Sequence, residues 1–212
     1  MEKELNHERG LFITFEGGEC TGKTTQSKIL YEHLKSLSIP VIWTREIGGT
    51  EVAEKIRDIM LGNEMHAMTE MFLSMAARYE HVHDLIIPSL SSGITVICDR
   101  FIDSTAVYRN IDDKIKMEEV YFYHSQIFGN FWPDITFLID VDPKISLARM
   151  EGRGVKNRFD IKIPGFHLSV REKFLKTSDM YKLRINKIDG SKPKEVISEE
   201  ILKYLEDFID LY

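Results

Sequence analysis

Cysteine is nearly absent from this 212-residue chain, which holds only Cys20 and Cys98, set apart and in no C-x-x-C or zinc-like spacing. A small disulfide-stapled scaffold is therefore excluded, and a reduced, cytoplasmic setting is expected. Long apolar runs are also missing: none approaches the roughly 20 residues of a membrane-spanning helix. The first ten residues, MEKELNHERG, hold no apolar stretch, so no secretory leader is expected. Basic residues are outnumbered, 28 Lys and Arg against 34 Asp and Glu, for a net charge of −6. That balance disfavours a nucleic-acid polymer or an anionic membrane surface as partner. What the chain does have is 43% hydrophobic and 10% aromatic residues, too many for a disordered acidic chain and enough for one large domain with a full core.

Short β-rich runs alternate with longer helical patterns. Strands are expected at 11–15, 41–44, 94–98, 135–139 and 184–188. Most are continuously apolar, as in strands covered on both faces. Strand then helix, about five times over, predicts an α/β fold with a parallel sheet. No repeat or linker divides the chain, so a single domain over 1–212 is expected, with 1–9 a flexible tail. A long helix is predicted over 65–90, where Met68, Phe72, Met75, Tyr79, Val82 and Ile86 form an apolar stripe expected to face the core. Ser74, Arg78 and His81 then fall on another, non-core face. The stretch 150–165 is rich in Gly and basic residues and reads as a mobile loop. Helices are expected again over 166–181 and 193–212.

The strongest motif is Gly17-Gly18-Glu19-Cys20-Thr21-Gly22-Lys23-Thr24, which fits G-x-x-x-x-G-K-S/T, the phosphate-binding P-loop. It follows an apolar strand and precedes a helix marked by Ile29, Leu30, Leu34 and Leu37. Glycines let the backbone turn its N–H groups inward, and the helix start adds positive potential. In this arrangement Lys23 is expected to reach the β- and γ-phosphates of a nucleotide, and Thr24 to ligate Mg²⁺. The third position is Glu19, so the dinucleotide pattern G-x-G-x-x-G is not met and a nicotinamide enzyme is not expected. Asn186-Lys187-Ile188-Asp189 imitates the guanine-reading N-K-x-D of GTPases. No Asp has a Gly three places on, however, so the second GTPase switch motif is missing. Asn186–Asp189 is read instead as the end of the last strand. The run ending Cys98-Asp99-Arg100 places a carboxylate at a strand terminus, where it can hold Mg²⁺, with Arg100 beside it. Thr44-Arg45-Glu46-Ile47-Gly48-Gly49-Thr50 is a glycine turn after the second strand.

Together these segments resemble the bacterial thymidylate kinase family. The resemblance rests on FEGGECTGKTTQ, TREIGGTEVAEKIRDIML, AARYEHV, ICDRFIDSTAVY and GRGVKNRFD, in family order. It implies a three-layer P-loop fold with a five-stranded parallel sheet, helices on both faces and a mobile lid. It implies MgATP-dependent phosphorylation of dTMP to dTDP, and usually a homodimer. By the same resemblance, Gly17 to Thr25 and Arg149 bind ATP, while Thr24 and Asp99 attend Mg²⁺. Glu19, Arg45, Ser74, Arg78, Arg100, Thr105 and Tyr108 then take dTMP, with Arg78 at the thymine edge and Arg100 at the acceptor phosphate. None of the variable P-loop positions is basic, so the lid arginines Arg153 and Arg158 are expected to supply charge to the transferring phosphoryl group, joining Lys23 and Arg100 as catalytic residues. There are three departures from the family pattern: Ser74 stands where a base-stacking Phe is usual, Ile47 where Pro is usual, and Tyr108-Arg109-Asn110 where Tyr-Gln-Gly is expected. A kinase for another nucleotide or a nucleoside, and a GTPase-like switch or non-catalytic nucleotide-binding module, remain the alternatives.

The acidity is unevenly spread. Residues 144–187 carry twelve Lys and Arg against four Asp and Glu, so the basic excess surrounds the expected lid. A chain of net −6 is thereby compatible with a small anionic nucleotide.

Overall fold

The computed structural model describes residues 9–111, 114–152 and 164–210. Five strands, β1 (Phe12–Glu16), β2 (Val41–Arg45), β3 (Thr95–Asp99), β4 (Ile135–Asp140) and β5 (Ile185–Asp189), form one sheet in the order β2-β3-β1-β4-β5. All neighbouring pairs are parallel. Each expected strand is present, with no end displaced by more than one residue. The three inner strands are buried almost throughout, whereas the edge strands β2 and β5 are only partly covered. Continuous apolar runs in the sequence thus mark the middle of the sheet.

Strand alternation divides the core into layers. Phe12, Val96 and Cys98 face α3 (Ala67–His81), α4 (Ile87–Ser91), α5 (Ile102–Arg109) and α6 (Met117–Phe128). Ile13, Phe15, Ile97 and Phe137 face the other way, toward Leu30 and Leu34 of α1 (Lys23–Ser36) and Ile197, Ile201 and Leu205 of α9 (Lys194–Asp210). Leu138 and Ile185 pack with Val107 of α5 and with Val170 and Phe174 of α8 (Pro164–Met180). The remaining helices are α2 (Glu51–Gly62) and α7 (Pro143–Glu151). Leu37, one of the apolar residues that mark this helix in the sequence, is its C-terminal cap and is exposed. The order of the connections switches about β1: β2 and β3 lie to one side and β4 and β5 to the other. In an open α/β sheet the crevice at that switch point, past the strand C-termini, is where ligands bind.

The long helix corrects the sequence reading in two ways. First, it is not uniform, because 82–86 forms a wide π-helical turn between α3 and α4. Pro88 follows within one turn. A proline has no N–H to donate and its ring crowds the preceding turn, which accounts for the widening there. Second, the apolar stripe does not all face the core. Met75, Val82 and Ile86 are buried, but Met68 is 42% exposed, Phe72 55% and Tyr79 47%. The face buried along α3 instead carries Ser74, Arg78 and His81. Arg78 is 1% exposed, so its face is an inner one.

A buried ion pair ties the α5 layer to the sheet. Arg184, just before β5, donates NH1 to Asp103 Oδ2 and NH2 to Asp103 Oδ1, both at 2.8 Å, and NH1 also reaches Thr136 Oγ1 at 2.8 Å. Tyr121 of α6 donates its hydroxyl to Asp103 Oδ1 at 2.8 Å. Removing one partner leaves the other charge buried without compensation. Asp103→Ala is expected to cost about 3–5 kcal/mol and to lower the thermal midpoint by about 10 °C for a chain of this size. Differential scanning calorimetry checks this, and an unchanged midpoint would mean that Arg184 finds solvent instead.

Candidate active site

The first loop leaves β1 at Glu16. Gly17 has φ 142°, and a Cβ there would lie 2.6 Å from the Ile139 carbonyl oxygen, so only glycine fits. Gly22 has φ 101° and leads directly into α1. Lys23 Nζ donates to Gly18 O at 2.7 Å and Thr21 Oγ1 to Gly18 O at 3.2 Å, which closes the loop on itself. Burial depresses the pKa of Lys23, and the charge of Arg100 adds to that, while Glu19, Asp99 and Glu16 oppose it. The Thr24 hydroxyl donates to Asp99 Oδ2. Among the described residues, Asp99 Oδ1 is buried and has no hydrogen-bond partner. A hydroxyl beside a carboxylate with an unused oxygen is a hard-donor set that fits Mg²⁺.

Arg100 follows Asp99 with φ 71°, a left-handed backbone that turns its side chain back across the loop. Its NH1 donates to Gly17 O at 2.8 Å and Ser104 Oγ at 2.9 Å, and its NH2 to Glu19 Oε1 at 2.9 Å. The Tyr108 hydroxyl also donates to Glu19 Oε1, at 2.9 Å, and the guanidinium lies 5.2 Å from the Tyr108 ring centroid. Burial disfavours an ionised Glu19, but Arg100, Lys23 and the Tyr108 hydroxyl outweigh it and hold the carboxyl at about 2. Burial likewise opposes the charge on Arg100, and Glu19 foremost keeps it protonated.

Deeper in, Arg78 donates Nε to Glu46 Oε2 at 2.8 Å and NH2 to Thr105 Oγ1 at 2.8 Å. His81 Nδ1 meets Glu46 Oε1 at 3.1 Å, and His81 Nε2 meets Thr44 Oγ1 at 2.7 Å. Burial resists ionisation of Glu46, yet Arg78 and His81 hold its pKa down. The Ser74 hydroxyl turns back to Glu70 O at 2.7 Å, and Arg109 forms an ion pair with the Glu70 carboxylate. Arg45 pairs with Glu54 at 2.7 Å and is partly exposed. The peptide bond between Glu46 and Ile47, the position where the family pattern has proline, is cis.

Many of these groups line one cleft of about 790 Å³. Glu19 to Thr25, Asp99 and Arg149 lie along it, and so do Arg45, Ser74, Arg78, Arg100, Thr105 and Tyr108. Arg149 donates to Gly190 O at 3.0 Å, which ties α7 to the turn after β5. Gly17 and Gly18 border a small adjoining hollow rather than the main cleft. Arg153 and Arg158, most of the expected lid and most of the expected N-terminal tail lie outside the described residues. Asn186–Asp189 falls within β5, where the Asp189 carboxylate accepts from the N–H and hydroxyl of Ser191.

Three cleft residues, Glu46, Arg57 and Ser104, were given no site role from the sequence, and Arg109, noted only as a departure from the family pattern, also lines the cleft. Arg57 donates to Ile47 O at 2.8 Å. It lies four residues after Ala53 and three before Met60, the two buried positions of α2, so helical spacing alone places it on the inner face. Glu46 carries a weaker signal, a charge directly after a strand. Nothing in the sequence showed that it holds Arg78.

The low pKa of Glu19 has a definite sign in stability. A carboxyl depressed by folding contributes stability above its unfolded pKa, here about 4.5, and loses it as pH falls toward about 2. Wild type is expected to exceed Glu19→Gln in urea resistance near neutral pH, with the gap narrowing from about pH 5 to about pH 3. A gap that stays constant over that range would contradict the assignment.

Comparisons with known proteins agree with one another. Residues 15–201 match the family model described as thymidylate kinase. A thymidylate kinase from Rickettsia rickettsii (strain Sheila Smith) is 44% identical over 198 residues, covering 93% of this chain and 98% of that protein. One from Orientia tsutsugamushi (strain Ikeda) is 43% identical over 202 residues, covering 92% and 93%. The crystal structure of thymidylate kinase from Ehrlichia chaffeensis superposes with a TM-score of 0.76 at 32% identity, covering 93% of this chain and 99% of that one. Matched by the family model over residues 15–201, and by relatives 43–44% identical over more than nine-tenths of its length, the chain belongs to the thymidylate kinase family.

Proposed function

We propose that the chain transfers the γ-phosphoryl group of MgATP to dTMP, giving dTDP and ADP. The observation that carries this reading is Arg100 following Asp99. One strand end offers a carboxylate for the metal of one phosphate chain and, at the next residue, a cation for a second phosphate. A nucleoside would bring an uncharged hydroxyl and call for a carboxylate base. An acceptor monophosphate brings an anionic oxygen that can attack directly. In the proposed step that oxygen bonds to the γ-phosphorus while the bridging β–γ bond breaks and ADP leaves with its electron pair. Catalysis is then mainly positioning and charge neutralisation.

Lys23 and the start of α1 hold the donor phosphates, and Thr24 and Asp99 would hold Mg²⁺. When bound, that ion would neutralise charge on the phosphate oxygens. Arg100 holds the acceptor phosphate, with Arg45 and Arg57 close along the cleft. Glu19 fixes Arg100, and Tyr108 packs against the sugar, crowding a 2′-hydroxyl. Arg78, oriented by Glu46 and Thr105, bonds the base. The family resemblance assigns Arg153 and Arg158 to the transferring phosphoryl group. No helix among the described residues is long and apolar enough to cross a membrane, and a cytoplasmic location suits the two nucleotide substrates.

Coupled measurement of ADP release across dTMP, dUMP, CMP and GMP, with ATP or GTP as donor, tests the substrate. A clear preference for another acceptor overturns the dTMP reading. Lys23→Ala and Arg100→Ala are each expected to lower kcat/KM by about 100-fold or more with unchanged circular dichroism. Near-wild-type turnover in either variant removes that residue from the mechanism.

We further propose a homodimer. Phe72 lies 6.2 Å from Tyr123 and Tyr79 lies 6.0 Å from Phe128, ring centre to ring centre, so the outer faces of α3 and α6 meet. Met68, Phe72, Tyr79, Phe122 and Ile127 are exposed there, an apolar surface of the kind that marks protein contacts. Light scattering is expected to give twice the 24.7 kDa chain mass, and Phe72→Asp to give the single mass. A monomeric wild type would refute this.

A further inference from the structure

We infer that Glu16, the last residue of β1, is the positioning residue for Arg100, acting through the Ser104 hydroxyl and the start of α5. This deepens the proposed function, because it rests on the acceptor-phosphate role given to Arg100.

Alternation along β1 turns Phe12, Thr14 and Glu16 toward α5, and Glu16 is 1% exposed. Its carboxylate receives three donors from one short segment. Oε1 accepts from Phe101 N at 2.8 Å and Ser104 N at 3.2 Å, and Oε2 accepts from the Ser104 hydroxyl at 2.5 Å. The first N–H groups of a helix have no partner within it, and α5 has no side-chain cap of its own. Glu16 supplies that cap from a different strand. Phe101 directly follows Arg100, so pinning its N–H helps to hold the left-handed turn at Arg100.

The second link is more specific. Because the Ser104 hydroxyl gives its proton to Glu16, its oxygen lone pairs face Arg100 NH1, which donates to it at 2.9 Å. The other partner of NH1 is the carbonyl of Gly17, at 2.8 Å, the residue joined to Glu16. Both acceptors of that NH1 therefore depend on where β1 ends. A glutamine at 16 could still accept one backbone N–H, but its NH₂ cannot accept the Ser104 proton. Donor and acceptor would have to reverse, and the grip on Arg100 would loosen.

The charged and titratable groups facing Glu16 are Asp103 on α5, which is paired with Arg184, together with Lys23, Cys98 and Arg100. Burial and then Asp103 raise its pKa to about 7, against Ser104, Arg100 and the Phe101 N–H. The ionised form that fixes Ser104 is thus lost as pH falls through about 7.

The test measures KM for dTMP, KM for ATP and kcat from about pH 8 to about pH 5.5 for wild type, Glu16→Gln and Ser104→Ala. At the alkaline end both variants are expected to raise KM for dTMP about 10-fold, the scale of a lost hydrogen bond to a charged group, with KM for ATP within about twofold. The Glu16→Gln to wild-type ratio should shrink toward one as pH falls, because wild type then loses what the variant lacks. Taking a ratio cancels the titration of the substrate's own phosphate. A ratio independent of pH, an unchanged KM for dTMP, or an equal rise in KM for ATP would overturn the inference, the last by showing general loosening of the loop. If Glu16→Gln does not fold, Ser104→Ala alone decides, with an unchanged KM for dTMP as the refuting result. Should wild type prefer another monophosphate, the substrate reading fails, and the same measurements with that acceptor still judge Glu16.

Discussion

The pairing of β1 with β3, with Phe15 beside Asp99, sets the distance between two loops that would otherwise be independent. One loop turns backbone donors inward, and the other carries a carboxylate and a guanidinium on successive residues. Backbone hydrogen bonds continue the pairing past the strand ends, since Arg100 N donates to Phe15 O at 2.9 Å and Glu46 N to Asp99 O at 3.0 Å. The chains leaving β1, β2 and β3 are thereby held at one level. Everything that reaches into the cleft from them inherits its position from sheet register, which is stiffer than any loop.

Charge is arranged around that frame so that four cleft arginines each face a carboxylate. Arg100 faces Glu19, Arg78 faces Glu46, Arg45 faces Glu54 and Arg109 faces Glu70. Such pairs keep the desolvation of buried guanidinium groups tolerable. They also explain how a chain of net charge −6 can offer a site for anions: its carboxylates hold the arginines in place and leave further donors for phosphate. The price is selectivity in geometry, because a ligand must match donors that are already oriented.

The P-loop, the Asp99–Arg100 pair and the parallel sheet were legible in the sequence because each follows from local spacing: glycine positions, a strand terminus, continuous apolar runs. The orientation of α3 was not. Periodicity shows that a helix has an apolar face and a polar face. It does not show which face is buried when the polar one meets a charged partner from a distant segment. Here Glu46, which follows β2, accepts Arg78 and His81 and makes the polar face an inner one. Arg57 was recoverable from its spacing relative to Ala53 and Met60, whereas the link of Arg109 to Glu70 joins two helices and has no local trace.

The inverted helix gives α3 two tasks on opposite sides. Its inner face brings Ser74 and Arg78 to the deep end of the cleft, with His81 fully buried against Glu46. Its outer face, Met68, Phe72 and Tyr79, meets the rings of α6 and stays exposed. A helix that must bury a guanidinium needs rigid support, since the Arg78–Glu46 pair tolerates little displacement before a buried charge loses its partner. The wide turn at 82–86 and Pro88 set where that support ends, and Val82, Ile86 and Leu90 then anchor the chain into the core beneath β3. Any contact made on the outer face of α3 bears on the same backbone that places Arg78, so association on that surface and recognition at the deep end of the cleft are mechanically one problem.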